Sequence, residues 1–175
     1  ERPEYGLPSG SVGGWVEVGR TTLGTTSTTI DVSSLPDKRY YMVLTNEINS
    51  GVIATGYRLN ADTGNNYSDR RSLNGASDAI STSANYMDLL DENNHSYPTF
   101  GVSYISNLSS KDKLVLGHTV GQNSAGAGNA PKRTESTGKH AQTSNPINAV
   151  NLFEAASGQY ASGSECVVLG WDPAD

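Results

Sequence analysis

The chain has 175 residues, a formal net charge of −6 and only 17% charged residues. Its length suits one domain with a core of its own. The acidic balance argues against direct nucleic-acid packing, which needs clustered Lys and Arg against phosphate. Cys166 is the single cysteine, so an internal disulfide is excluded, and no stretch is long and apolar enough to cross a bilayer as a helix.

The polar remainder is mostly Ser, Thr, Asn and Gly. Thr, Tyr and Val favour strands, while Gly, Asn and Ser populate turns. Tyr, Val, Ile and Leu recur in short alternating runs, which excludes disorder throughout.

In chain order, Glu1 to Gly14 holds Pro3, Pro8 and several glycines with few apolar residues. It reads as an extended arm, 1–14, ahead of a single domain at 15–175. No signal peptide is evident, and Glu1 in place of Met is compatible with a leader or a longer parent before it. Strands are expected around Val16, Ile30, Tyr41 to Leu44, Tyr57 to Leu59, Tyr86 to Leu90, Phe100 to Ile105, Leu114 to Val120, Ile147 to Phe153 and Val167 to Trp171. About eight or nine strands split by turn-rich connections predict an all-β antiparallel sandwich. Asp88 to Glu92 could start one short helical turn, which Asn93 and Asn94 would stop. Ser68 to Ala84 and Gln122 to Asn145 read as long surface loops, lying free or against a neighbouring subunit. The pairs Arg70-Arg71 and Lys132-Arg133 read as solvated turns.

The stretch from Thr55 to Ser68 organises the rest. Tyr57 and Leu59 alternate with Gly56, Arg58 and Asn60 as in a half-buried strand. The turn cluster Asn60 to Asn66 follows, where Asx side chains bond their own backbone and Gly64 supplies positive φ. Tyr67 closes it, with a buried ring and a wet hydroxyl expected.

This stretch, Leu59-Asn60-x-Asp62-x-Gly64-x-Asn66-Tyr67, resembles a signature of virion structural proteins of tailed phages and related archaeal viruses. Trp15 to Leu23, followed by Thr28 to Leu35, resembles the opening strands of that group. Tyr160-x-x-Gly163-Ser164 and the run to Trp171 resemble its closing aromatic-x-x-Gly-Ser turn and last strand. The resemblance implies a jelly-roll-like sandwich and a virion protein on the particle exterior. Its expected role is capsid decoration or cement, or another head or tail component. The implied partners are other virion proteins and copies of itself, with no nucleic acid or membrane. Two alternatives stand beside it: a carbohydrate-binding module recognising a host glycan, or a subunit of a cell-surface filament or layer.

Catalysis is not expected. His95, His118 and His140 form no zinc spacing, Ser164 lacks a nucleophile elbow, and the nearest carboxylates, Asp88 with Asp91 or Glu92, sit in a loop. His118 reads as a sheet-face residue. Asn60, Asp62, Asn65 and Asn66 offer hard oxygen ligands for calcium, the one cofactor weighed. They lack the twelve-residue loop and its terminal Glu, and an Asx turn explains the same residues. Tyr97, Tyr160 and Trp171 are candidate glycan-stacking aromatics, though the family resemblance puts Trp171 on the last strand. Cys166 reads as a small buried hydrophobe.

Overall fold

The computed structural model describes residues 14–89, 93–94, 98–122 and 124–173. It is an antiparallel β-sandwich, with no helix among the described residues. The larger sheet has eight strands. Across it run β1 (Val16–Thr22), β13 (Glu165–Trp171), β3 (Tyr40–Glu47), β9 (Thr99–Ser106), β10 (Lys113–Gly121), β11 (Lys132–His140), β6 (Tyr67–Leu73) and β7 (Ala79–Ala84). Against it packs a three-stranded sheet of β2 (Thr29–Val32), β12 (Val150–Glu154) and β5 (Thr55–Leu59). A two-residue ladder pairs β4 (Val52–Ile53) with β8 (Asn93–Asn94).

The period of two along each strand decides which side chains enter the core. On β3, Tyr41, Val43, Thr45 and Glu47 are buried while Tyr40, Met42 and Leu44 are half-buried on the other face. Tyr41, Val43, Ile105, Val115, Cys166 and Val168 meet Ile30, Val32, Tyr57, Leu59, Val150 and Leu152 in one continuous core. Each such side chain contributes about 1.5–3 kcal/mol relative to exposure. Two tyrosine hydroxyls find partners at the core. The Tyr41 hydroxyl donates to Pro36 O at 2.6 Å, and that of Tyr57 lies 3.3 Å from Ser103 Oγ.

The three-stranded sheet is too narrow to cover all of the larger one. Segment 85–89 covers much of the remainder. Met87 exchanges backbone hydrogen bonds with Tyr57 at 2.9 and 3.0 Å. The Leu89 carbonyl accepts from Ser136 Oγ at 3.2 Å, and Met87 and Leu89 pack over Gly138. On the smaller sheet, Gly56 leaves room for the Phe153 ring, and the Arg58 guanidinium lies 3.9 Å above that ring.

Several expectations are corrected here. Of the strand expected at Tyr86 to Leu90, the described part, Tyr86 to Leu89, is not a strand, since Met87 makes only an isolated bridge. Ser68 to Ala84 is mostly the β6–β7 hairpin, and Gln122 to Asn145 contains nine-residue β11. The hairpin turns on Asn74 (φ 52°) and Gly75 (φ 79°), closed by Ala76 N donating to Leu73 O at 2.9 Å. That is the turn Asn-Gly favours between twisted strands. Arg70, Arg71, Lys132 and Arg133 therefore stand on strands, and Arg71 pairs with Asp69 and Asp88. The arm, apart from exposed Gly14, lies outside the described residues, as do Leu90 to Glu92 of the expected helical turn.

Candidate functional site

The outward face of the larger sheet is apolar where water would be expected to select polar residues. Its registers place side chains in four rows. The first runs Trp171, Tyr40, Ser106, Leu114 and Lys139. The second runs Glu17, Leu169, Met42, Tyr104, Leu116 and Thr137. The third is Arg20, Val167, Leu44, Val102, His118 and Glu135. The fourth is Thr22, Glu165, Asn46, Phe100, Val120 and Arg133.

Phe100, Tyr104, Leu114 and Leu116 are 45–56% exposed. From strand and residue spacings, the apolar area across β13, β3, β9 and β10 measures roughly 20 by 25 Å, on the order of 500 Å². A patch of that size is in the upper part of the range for single chains, where such patches are often functional.

One corner is aromatic. Tyr40 stacks on Trp171 at 5.3 Å, and Trp15 tilts against Trp171 at 6.2 Å and Tyr104 at 6.3 Å. With Leu114 and Leu116 they line a shallow hollow of about 380 Å³, whose non-aromatic polar residue is Ser106. Such a lining fits an apolar side chain better than a hydroxyl-rich ring, which needs convergent polar groups.

Charged rims flank the apolar rows. On the β1 side, Arg20 bonds Glu17 and Glu165, both at 2.7 Å. On the β11 side stand Arg133 and Glu135, 3.6 Å apart, with Lys139 3.6 Å from Asp112.

The turn at 60–66 is built differently from the expected one. Positive φ falls on Asn60 (57°) and Ala61 (53°), not on Gly64, and Asp62 N donates to Leu59 O at 3.1 Å. A Cβ at Gly64 would stand 2.7 Å from Asn66 Nδ2, so the Asn66 amide would have to shift to admit it. The Asn60 side chain reaches away from its own turn. Its Oδ1 accepts from Asn148 N at 2.8 Å and its Nδ2 donates to Pro146 O at 2.9 Å, holding the approach to β12. Asp62 makes the Asx turn, accepting from Gly64 N, and also accepts from Asn66 Nδ2, each at 2.8 Å. Asn65 is exposed. Tyr67 is buried as expected, but its hydroxyl is not wet. It donates to Leu59 O or Asp62 O and accepts from Leu59 N, all within 3.2 Å. Burial pushes it up to about 12.

The proposed calcium ligands are thus tied to protein donors and acceptors, Asn65 apart. Among the described residues no group of three or more His, Cys, Asp and Glu side chains is placed to hold a metal ion.

The glycan-stacking aromatics separate. Tyr160 is fully buried, its hydroxyl donating to Thr55 Oγ1 at 3.0 Å, so it cannot stack on a ligand. The nearby Gly163-Ser164 turn is a clasp, with Ser164 Oγ accepting from Ile48 N at 2.9 Å and donating to Ile48 O at 3.0 Å. Trp171 is half-buried at the aromatic corner, and Tyr97 lies outside the described residues, as does His95. His118 is an exposed sheet-face residue, and Cys166 is buried in the core, its thiol pushed up to about 12 by burial.

Two buried polar groups escaped the sequence reading. His140, 1% exposed, has Nε2 2.8 Å from Asp62 Oδ2 and stacks on Tyr67 at 4.4 Å. Burial pulls the Asp62 carboxyl upward, but hydrogen bonds from His140, Asn66 and Gly64 N outweigh it and hold the group low. Glu47, also 1% exposed, accepts from Thr55 Oγ1 at 2.8 Å, while its other oxygen has no partner. Burial raises its carboxyl to about 7. Compared with known proteins, the sequence matches no family model and no curated protein.

Proposed function

We propose that this chain is a structural protein of a virus-particle exterior, acting as a capsid decoration or cement subunit, or as another head or tail component, through protein–protein contacts. The observation that carries the proposal is the apolar outward face of the larger sheet, bordered by charged rims. A side that faced only solvent would lose nothing by being polar, so its Leu, Val, Phe and Tyr side chains call for a covering surface. The resemblance of the 59–67 turn, the opening strands and the closing turn to jelly-roll-like virion proteins, in the same chain order, supports the same reading. Immunogold electron microscopy of native particles tests it. Regular labelling over the shell or tail is expected, and particles devoid of label overturn it.

A second reading follows from the aromatic corner. Trp15, Tyr40, Tyr104 and Trp171 could stack on a sugar ring of a host glycan. A glycan array with the isolated chain separates the readings. Retained binding that Trp171→Ala abolishes favours the carbohydrate module, and the dry lining of the corner favours the protein contact.

A further inference from the structure

We infer that the outward face of the larger sheet is covered by a second copy of this chain, packed face to face about a twofold axis that runs parallel to the strands between β3 and β9. The inference rests on the protein-contact reading above and names the partner.

The sheet's own order carries it. Strands β1, β13, β3, β9, β10 and β11 are consecutive across the sheet. A twofold axis between β3 and β9 therefore sets β3 on β9, β13 on β10 and β1 on β11 of the other copy, row against row. Leu169 then faces Leu116, Met42 faces Tyr104, Leu44 faces Val102, and Trp171 faces Leu114. Each of these pairings brings two apolar side chains together.

The rims favour this direction of the axis. In the third row Arg20 comes opposite Glu135. In the fourth, Arg133 comes opposite Thr22, beside Glu165, and Lys139 lies one row from Glu17. With Asp112 beside Lys139 the β11 rim is balanced rather than positive, and the complementarity lies in the individual contacts, Arg20 with Glu135 and Arg133 with Glu165. An axis perpendicular to the strands, midway along the rows, would set Glu17 on Arg20 at the β1 rim but Lys139 on Arg133 at the β11 rim.

The area is adequate. Adding the rims to the apolar rows covers roughly 700 Å² per copy, close to the ~800 Å² per partner of a stable interface. Aligned sheets pack this way in sandwiches, at about −30°.

Sedimentation velocity and concentration-dependent melting of the full chain test the proposal. A monomer–dimer equilibrium is expected, with a melting temperature that rises with protein concentration. Leu116→Asp, at a half-exposed site, is expected to give a folded monomer. A wild type that stays monomeric over roughly a hundredfold range of concentration, bare or covered by its own residues 1–13, overturns the second copy. So does a dimer that Leu116→Asp leaves intact. A monomer that labels native particles overturns this inference alone, whereas a dimer found on no particle leaves it standing and removes the reading it rests on.

Charge exchange tests the axis. Glu17→Lys with Glu165→Lys, and separately Arg133→Glu with Lys139→Glu, should each weaken self-association by about tenfold. Mixing the two variants should restore it as a heterodimer. Failure of the mixture to associate overturns the parallel axis.

Discussion

Asp62 and His140 meet at 2.8 Å although 78 positions separate them in the chain. The contact joins the turn after β5 to the last residue of β11, so the turn is held from outside as well as by its own Asx bonds. An ionised carboxylate can only accept, which places the shared proton on Nε2 and leaves buried Nδ1 without a partner.

Asp62→Ala is therefore expected to cost about 2–3 kcal/mol, because it leaves both buried imidazole nitrogens unpaired. The folded-state carboxyl lies below its unfolded value. Its contribution is present above the unfolded value and lost as pH falls through the folded one. Thermal melts should show this acid loss in the wild type and a flatter profile in Asp62→Asn. Chelator should not shift the midpoint, since both carboxylate oxygens already accept protein hydrogen bonds.

Glu47 gives the opposite slope. Burial foremost, with Glu154 adding to it, raises the folded carboxyl from 4.5 to about 7 against the hydrogen bond from Thr55. Below the unfolded value both states are protonated and no penalty exists. Between the two values the unfolded chain ionises first, so stability falls as pH rises and levels off above about 7. The loss amounts to about 3 kcal/mol. Glu47→Gln should erase this slope and exceed the wild type in stability at pH 8, as denaturant titration at several pH values would reveal.

Cys166 is fully buried, with its thiol raised by burial and by the nearby Glu47 carboxylate. Native protein should resist thiol reagents, with labelling limited by global opening. Fast modification of the folded chain would contradict the placement of β13.

Gly56→Ala should destabilise by about 2 kcal/mol, since the new methyl collides with Phe153 and displaces the ring beneath Arg58. A denaturant midpoint shift measures it. A neutral result would mean that Phe153 swings out freely.

Strand class and core were legible where apolar residues recur, as in Tyr41 to Leu44 and Val167 to Trp171. β11 was not, because neither of its faces is apolar. Thr134, Ser136, Gly138 and His140 point inward while Arg133, Glu135, Thr137 and Lys139 point outward. A period of two existed there in charge rather than hydrophobicity. The Asn74-Gly75 turn was a local signal left unread. The Asp62–His140 pair had none, because β11 is placed beside β6 by sheet order and not by sequence proximity. The apolar outer face was hidden for another reason: Leu114-Val115-Leu116 is a continuous apolar run, and such a run does not say which of its sides stays open.

The ends of the larger sheet limit how copies can accumulate. β1 carries a register shift between Glu17 and Gly19, and β7 is mostly exposed on both faces, with Ser83 at φ 51°. A ladder kinked at one border and thinly packed at the other makes a poor template for a further strand. Lengthwise growth into fibrils is disfavoured at both borders, so an apolar face can be presented without polymerisation through the backbone.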